Sequence, residues 1–364
     1  MNNLAPFQDK TIDKIRENGG IFHTPAGHIL CFPEEFGFCQ GVKLAINRLQ
    51  MKKSQESFRT IHLLGSMIHN PNVNAWFANH GVQISSPPEE EALLTDEFKA
   101  ENTVYIIPAF GLSLRQQANI ERNLPESSEI FDCTCPFVRN VWNIAKREAS
   151  AGRAIFVHGN PVHQETRAIW SRACKYAKAA ALIANPKEAD ALLIELNKKD
   201  AVPDYPASQL HNHKYLNQLK WTLVNQTTML YYETEAIAEK LRTHCPTSPF
   251  SGNGTICSST HKRQQAAEKL ISGNSSMIFV LGGINSSNTI QLYKLAKKQK
   301  IVYFIQNPDD VSMDSVKHFD PIEGVWHKTE HWLKPDYQQI GILAGASCPD
   351  TQLSLLLKNI SNFF

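Results

Sequence analysis

The sequence predicts a parallel α/β fold with more than one core. Short runs of β-branched and aromatic residues alternate with amphipathic stretches of helical length, which is typical of strands joined by helical crossovers. At 364 residues the chain exceeds one ordinary hydrophobic core, so two or three α/β units are expected. The predicted strands are residues 28–32, 60–64, 103–107, 153–157, 180–184, 221–224, 276–281, 301–305 and 340–344.

A cysteine at the predicted start of a helix recurs three times along the chain. Cys39 lies between two glycines, Gly37 and Gly41, in FGFCQGV, ahead of the helix-forming VKLAINRLQ. Cys135 precedes a proline suited to a first helical turn, and Cys257 precedes a Ser/Thr cluster able to cap a helix. A helix N-terminus favours the thiolate, the form that attacks electrophiles or binds metals. The recurrence indicates three similar domains that face a common centre.

The other cysteines are interpreted as having no task. Free cysteine is among the residues most often buried. Cys133 would point the same way as Cys135 in an extended segment, but the helix start favours Cys135 as a ligand, and Cys133 is interpreted as a neighbour. The remaining core or surface thiols are Cys31, Cys174, Cys245 and Cys348.

Small polar and imidazole side chains follow several of the predicted strands. Open α/β sheets bind ligands at the carboxyl ends of their strands, and helix N-termini there attract anions. These stretches are rich in hydrogen-bond donors and poor in acids, so they predict an oxyanion ligand such as phosphate. They read SMIHNPNVN, HGNPVHQET, NQTTML, INSSNT and AGASCPD.

Each of these residues also has a simpler interpretation when it is taken alone. His69 and His163 fit structural histidines, and Thr227 fits an ordinary strand end. Glu165 fits a solvated carboxylate at a helix start. Ser286, Ser287 and Asn288 fit helix caps. These residues at strand ends and the three cysteines at helix starts would have to share their positions by accident if each were only structural. A common ligand-binding site is therefore favoured.

Composition narrows the setting. The chain has 37 basic and 35 acidic residues, a balance that gives no electrostatic case for binding nucleic acid or a membrane surface. No apolar run approaches the roughly 18 residues that span a bilayer, and the first thirty residues resemble neither a signal peptide nor a transit peptide. Because the chain contains several cysteines and no recognisable secretory signal, we expect it to be located in the reducing cytoplasm. Residues 86–97 are predicted to form a loop that leads to an acidic helix start. Residues 201–219 are predicted to form an inserted loop or a short helix.

The motifs as a set resemble the 4-hydroxy-3-methylbut-2-enyl diphosphate reductase family over about residues 28 to 352. The matching stretches occur in the family's order and approximate spacing. Phe110 stands where many bacterial members have histidine, and this Ala-Phe-Gly form is similar to the plant and cyanobacterial branch. The stretches are FGFCQGV, IHNPNVN, IPAFG, DCTCPFV, VHQET, NQTTM, TICSSTHKRQ, GGINSSNT and AGASCPD.

The resemblance implies a cloverleaf of three similar α/β domains around a central iron–sulfur cluster. It implies reductive removal of the substrate hydroxyl, which gives isopentenyl and dimethylallyl diphosphate, the last step of the non-mevalonate isoprenoid route. Ferredoxin or flavodoxin is the expected electron donor. The expected segments are an N-terminal extension (1–27), a strand segment joining the third domain (28–39), and domains at 40–134, 135–256 and 257–364.

The resemblance also assigns roles to individual residues. It implies a four-iron four-sulfur cluster with one iron open to substrate, held by Cys39, Cys135 and Cys257. It implies that Glu165 delivers a proton and that Thr227 orients the substrate hydroxyl. The residues implied to bind the diphosphate are His69, His163, Ser286, Ser287, Asn288 and Ser347.

Two other classes of function remain open at this point. A structural zinc protein could use the three cysteines with His69 or His163, since both residue types are standard zinc ligands. A non-catalytic iron–sulfur sensor could share the scaffold, although a sensor needs neither Glu165 nor Thr227.

Overall fold

A computed structural model of the chain describes residues 4–85, 99–197, 205–244, 255–334 and 337–363, and it confirms the α/β class. Helices alternate with strands along most of the sequence. The α-helices are α1 (Lys10–Glu17), α2 (Gln40–Gln55), α3 (Pro71–Asn79), α4 (Leu114–Asn123), α5 (Pro136–Ser150), α6 (Gln164–Tyr176), α7 (Pro186–Asn197), α8 (Tyr231–His244), α9 (Ser258–Ile271), α10 (Ser287–Lys297) and α11 (Asp350–Ser361).

All nine predicted strands are present, and the described residues contain six more. The additional strands are short, at a sheet edge, or paired in a separate hairpin. The full set is β1 (Ile21–His23), β2 (Ile29–Cys31), β3 (Thr60–Leu64), β4 (Val82–Ser85), β5 (Thr103–Ile107), β6 (Glu129–Asp132), β7 (Ala154–His158), β8 (Ala180–Ile183), β9 (Leu210–His211), β10 (Trp221–Asn225), β11 (Met277–Leu281), β12 (Ile301–Ile305), β13 (Ser315–Asp320), β14 (Val325–Glu330) and β15 (Gln339–Ala344).

Three mostly parallel sheets carry these strands. One sheet has the order β4-β3-β5-β6 and is parallel throughout. A second has the order β10-β7-β8-β9, in which only β9 is antiparallel. The third has the order β1-β2-β15-β11-β12, in which only β1 is antiparallel. Strands β5, β7, β8, β10 and β11 are buried along their whole length, as expected for parallel strands covered on both faces.

Most of the loops that contain candidate residues follow the carboxyl ends of parallel strands; Cys257, which comes after α8 in the described elements, does not. These loops come after β3, β5, β6, β7, β10, β11 and β15. Parallel strands place their carboxyl ends at one edge of a sheet, so each sheet collects its polar loops on one side. The fold therefore places the candidate residues where the strand-end argument predicts them.

The chain divides into two compact units. The first comprises Met1–Met51, Ile68–His80 and Ser258–Phe364 and contains the five-stranded sheet. The second comprises Lys52–Met67 and Gly81–Cys257 and contains both four-stranded sheets. The boundaries predicted at 40–134, 135–256 and 257–364 stay a prediction.

The segments with no assigned role have the following structures. The predicted extension 1–27 contains α1 and β1, and β1 pairs with β2 at the edge of its sheet. The described part of 201–219 forms two short 3₁₀ helices and the edge strand β9, with Leu216 fully buried. Residues 86–97 and Cys245 lie outside the described residues.

Candidate functional site

The three cysteines predicted to share a role each lie at the start of a helix. Cys39 directly precedes α2, Cys135 caps α5, and Cys257 directly precedes α9. Their side chains are partly exposed, whereas Cys133 and Cys348 are fully buried. Each of the three sulfurs therefore lies at the start of a helix, the position that the sequence predicted for it.

Backbone hydrogen bonds fix the position of Cys39. Its Sγ accepts a hydrogen bond from the N–H of Val42 at 3.4 Å, within the first turn of α2. Its own N–H donates to the carbonyl oxygen of Ala346 at 3.1 Å. The first contact holds the sulfur at the start of α2, and the second connects the cysteine to the loop after β15.

Arg263 on α9 supports the same loops, and the sequence reasoning did not single it out. Its guanidinium is buried and donates to the carbonyl oxygens of Gly37 at 2.9 Å and Ala344 at 3.0 Å. Burial lowers the pKa of Arg263, and the nearby Cys39 opposes that shift. The available signal was helical spacing, since Arg263 lies on the face of α9 that also buries Ala267.

Ser347 connects two other predicted residues. Its Oγ donates to the carbonyl oxygen of His69 at 3.2 Å and lies 3.5 Å from the Oγ of Ser286. Ser286 also caps α10 by accepting a hydrogen bond from the N–H of Thr289 at 3.3 Å. The capping interpretation of Ser286 is therefore right, and the same hydroxyl lies beside Ser347.

Asn288 has a buried donor that the described residues do not satisfy. Its Oδ1 accepts a hydrogen bond from the N–H of Ala346 at 2.9 Å, while its Nδ2 has no partner among the described residues. An unsatisfied buried donor costs about 1–3 kcal/mol, so an acceptor supplied by a ligand would be favourable there. Ser287, the first residue of α10, lies between Ser286 and Asn288.

Burial keeps His69 neutral at ordinary pH. It lowers the pKa of the imidazole to about 4, because the charged form would lose its hydration. A neutral imidazole has one N–H donor and one acceptor. His69 can therefore donate to an anionic oxygen without first taking up a proton.

Gly283 lets the backbone of His69 approach the loop after β11. A Cβ at position 283 would overlap the carbonyl oxygen of His69 and lie 3.0 Å from its carbonyl carbon. Gly283→Ala is therefore expected to destabilise the first unit by about 1–3 kcal/mol, which chemical denaturation would measure. Gly273→Ala is the control, since its nearest atom would be 3.2 Å away. Equal midpoints for the two variants would contradict the close approach.

Glu165 is buried near the start of α6, so the interpretation as a solvated carboxylate is wrong. Only 2% of the residue is exposed, and its Oε1 accepts a hydrogen bond from the N–H of Thr227 at 2.6 Å. Burial raises the pKa of Glu165 to about 7, against the opposing effect of hydrogen bonds from Thr227. A carboxyl group with this pKa is protonated in a large fraction of molecules at neutral pH.

Thr227 connects Glu165 to a cysteine. It follows β10, and its carbonyl oxygen accepts a hydrogen bond from the N–H of Cys257 at 3.2 Å. The position of Thr227 is therefore coupled to Glu165 through its amide and to Cys257 through its carbonyl group. An ordinary strand-end threonine would not require either contact.

His163 lies against Phe110, in the loop after β5. The two rings meet edge to face, with centroids 5.6 Å apart and planes at 83°. The Nδ1 of His163 accepts a hydrogen bond from the N–H of Glu165 at 3.2 Å. This contact assigns the proton of the neutral ring to Nε2, which can serve as a donor.

The loop that contains Phe110 is held by two contacts. The N–H of Cys135 donates to the carbonyl oxygen of Ala109 at 2.9 Å. The Nε2 of Gln164 donates to the carbonyl oxygen of Gly111 at 2.9 Å. Gln164 lies in the predicted HQET stretch but was not singled out, because its spacing alone does not indicate a backbone contact.

The structure collects the predicted residues into two groups, one in each unit. Site group A, in the first unit, and site group B, in the second, are each connected by the contacts above. Among the described residues, no three His, Cys, Asp or Glu side chains gather closely enough to hold one metal ion. Group A is Cys39, His69, Ser286, Ser287, Asn288 and Ser347; group B is Cys135, His163, Glu165, Thr227 and Cys257.

The chemistry of these side chains fits the predicted ligands. Three partly exposed cysteines at helix starts supply soft sulfur donors, which suit iron–sulfur clusters. The unsatisfied amide of Asn288 and the hydroxyls of Ser286 and Ser347 suit an oxyanion.

Among the described residues, none of the helices has the length and apolar composition of a membrane span.

Sequence comparisons identify one family over most of the chain. The family described as LytB protein matches residues 30–361. The 4-hydroxy-3-methylbut-2-enyl diphosphate reductase of Gloeobacter violaceus is 29% identical over 98% of this chain and 88% of its own length. The protein with the same name from Synechococcus sp. (strain RCC307) is 30% identical over 94% of this chain and 86% of its own length.

Two solved structures share the fold. The E-1-hydroxy-2-methyl-but-2-enyl-4-diphosphate reductase from Plasmodium falciparum superposes with a TM-score of 0.68 at 19% identity, over 91% of this chain and 87% of that one. A structure described as (E)-4-hydroxy-3-methyl-but-2-enyl diphosphate reductase gives a TM-score of 0.54 at 22% identity, over 92% of this chain and 99% of that one.

Proposed function

Since the chain belongs to the LytB protein family, we propose that it reduces 4-hydroxy-3-methylbut-2-enyl diphosphate to isopentenyl diphosphate and dimethylallyl diphosphate. Two electrons and two protons enter, and the allylic hydroxyl leaves as water. The buried carboxyl group of Glu165, hydrogen-bonded to Thr227, is the observation that carries this proposal. It supplies a proton donor that a binding module would not need.

We propose that Cys39, Cys135 and Cys257 hold one four-iron four-sulfur cluster. Their shared position at helix starts and their partial exposure support this ligand set over the buried Cys133 and Cys348. When bound, such a cluster with one open iron supplies single electrons and a Lewis acid for the substrate hydroxyl. The N–H of Val42 donates to the sulfur of Cys39, and the buried guanidinium of Arg263 lies near this cysteine.

The predicted donor residues are proposed to bind the substrate diphosphate. The amide of Asn288 gains the acceptor that it lacks, and the neutral rings of His69 and His163 each donate a hydrogen bond. The hydroxyls of Ser286 and Ser347 add donors beside the carbonyl group of His69. Holding the anionic end fixes the distance of the hydroxyl from the reacting groups, which converts binding into rate.

Asn288→Asp tests the diphosphate contact. The aspartate keeps an oxygen to accept the N–H of Ala346, but it replaces the donor amide with negative charge. We expect KM to rise about tenfold or more, with a much smaller change in kcat. Steady-state kinetics with the reduced enzyme would measure both constants, and an unchanged KM would exclude Asn288 from diphosphate binding.

Glu165 is proposed to give the proton that makes the hydroxyl a leaving group. Since its pKa is about 7, the protonated fraction falls as pH rises through neutrality. We expect kcat at saturating substrate to fall about tenfold per pH unit above this pKa. Measurements at fixed reductant potential between about pH 6 and pH 9 would check this, and a flat profile would exclude this proton donor.

The remaining expectations concern the setting of the enzyme. Ferredoxin or flavodoxin is proposed as the electron donor and the cytoplasm as the location, both from the resemblance and the cysteine usage. An anaerobic assay with an artificial reductant tests the reaction without either assumption. Consumption of the substrate with formation of both isomers supports the function. A folded, cluster-loaded protein that leaves the substrate unchanged refutes it.

A further inference from the structure

The N-terminal segment, defined as residues 4–23, lies before the stretch matched by the LytB family yet packs against site group A. Helix α1 buries Ile12 and Ile15 in the core that also contains Leu30 and Leu353. Two of its turns are thereby anchored to the five-stranded sheet and to α11. Arg16, the next residue after Ile15, is carried on this anchored helix.

Arg16 forms a two-pronged ion pair with Asp350. Its Nη2 and Nη1 lie 2.5 Å and 2.9 Å from the two carboxylate oxygens. About a tenth of the Asp350 side chain is exposed (11%), against a third of Arg16 (33%), so this pair is better shielded than an ordinary surface pair. Asp350 begins α11 and follows Ser347 by three residues.

The same ion pair lies against the loop that leads to Cys39. A Cβ on Gly37 would lie 3.0 Å from the Nη2 of Arg16 and 3.0 Å from the Oδ1 of Asp350. The guanidinium carbon of Arg16 lies 4.8 Å from the ring centroid of Phe36. Arg16 therefore contacts the Cys39 loop directly and the Ser347 loop through Asp350.

Phe7 adds a second contact from the same segment. Its buried ring lies 5.8 Å from the ring of Phe38, the neighbour of Cys39. It lies 5.1 Å from Trp76 on α3, the helix that follows His69. The N-terminal segment therefore contacts three parts of the chain that contain residues of site group A.

We propose that Arg16 is a positioning residue for the diphosphate-binding part of site group A, where it neutralises Asp350 and holds the Cys39 loop to the Ser347 loop. This role rests on the proposed function only in taking a diphosphate as the ligand. Without Arg16, the carboxylate of Asp350 at the start of α11 would lose this ion pair, and its negative charge would oppose an anion bound beside Ser347. By Coulomb's law, one unit charge about 10 Å from another at an effective dielectric constant of about 20 changes a binding constant about tenfold.

Two substitutions separate this electrostatic role from a loss of packing. Arg16→Met is expected to weaken the binding of inorganic pyrophosphate to the full chain about tenfold, measured by calorimetry. Asp350→Asn is expected to tighten it, and the double variant Arg16→Met/Asp350→Asn to return close to the parent affinity. A purely structural role would make all three variants weaker. Lys14→Met removes an exposed charge from the same helix and is the matched control.

Steady-state kinetics of the enzyme with its iron–sulfur cluster bound provide a second measurement. Arg16→Met is expected to raise KM about tenfold, with kcat changed less than about threefold, and Arg16→Lys to lie between it and the parent. Should Arg16→Met not fold, the opposite signs expected for Asp350→Asn and Arg16→Lys still test the role. Equal pyrophosphate affinities for Arg16→Met and Lys14→Met would overturn it. Arg16-dependent pyrophosphate binding in a chain that never reduces the substrate would refute the proposed function and leave the positioning role standing.

Discussion

Replacing Glu165 with glutamine is expected to lower turnover roughly 10²- to 10⁴-fold, while substrate still binds. Glutamine keeps the shape of the side chain and an oxygen that accepts the N–H of Thr227, but it has no proton to give. Single-turnover kinetics and substrate-binding measurements on the reduced enzyme separate the two effects. Turnover near that of the parent would remove Glu165 from the proton path.

The same substitution is expected to stabilise the protein at alkaline pH. Burial raises the pKa of Glu165 from its ordinary value of 4.5 to about 7, so the unfolded chain loses this proton more readily than the folded one. The free energy of unfolding therefore falls as pH rises from about 4.5 to about 7. Above about pH 7 this loss reaches its full size of about 3 kcal/mol. Glu165→Gln removes this penalty, so its gain in stability should be present at pH 8 and absent at pH 4.

A matched glutamate provides the control for the stability effect. Glu188 lies in the first turn of α7 and is only partly buried. Denaturant unfolding of Glu165→Gln and Glu188→Gln at both pH values compares a buried with a partly exposed carboxylate at a helix start. A Glu165→Gln variant that is less stable than the parent at pH 8 would contradict the raised pKa.

Replacing any one of Cys39, Cys135 or Cys257 with alanine is expected to abolish turnover and to reduce the bound iron strongly. Each change removes one of the three proposed thiolates, and an iron–sulfur cluster is held by such ligands. Anaerobic purification followed by iron analysis and visible absorption would measure the loss.

The pair Cys133 and Cys135 gives the sharpest comparison for this ligand set. Cys133 is fully buried, with its N–H donating to the carbonyl oxygen of Ile107 at 2.9 Å, whereas Cys135 is partly exposed at the start of α5. Cys133→Ala should therefore keep the cluster, in contrast to Cys135→Ala two residues away. Loss of iron from the Cys133 variant with retention in the Cys135 variant would reverse the assignment.

Continuous hydrophobic runs made the central strands predictable from sequence. The nine predicted strands are largely buried, and their β-branched composition distinguishes them from the helices. The missed strands lack this signal. The hairpin of β13 and β14 carries charged, histidine and tryptophan side chains, and β14 is almost entirely exposed. Strand β9 has only two residues, too few for any periodicity.

The candidate residues were predictable because each has a local signature. A cysteine before a helix or a serine after a strand can be recognised without knowing its partners. The contacts that determine the burial, the pKa and the charge of these residues join distant parts of the sequence. Glu165 meets Thr227 across 62 positions, and Arg16 meets Asp350 across 334, so burial, raised pKa and charge neutralisation emerge only in the folded chain.

Analysis of iron, acid-labile sulfide and zinc in the protein purified without oxygen directly tests whether the three cysteines hold an iron–sulfur cluster. We expect a brown protein with about four iron and about four sulfide per chain and no zinc, since Cys39, Cys135 and Cys257 are proposed to hold one cluster. A folded protein that contains zinc without sulfide, or no metal at all under these conditions, would contradict it.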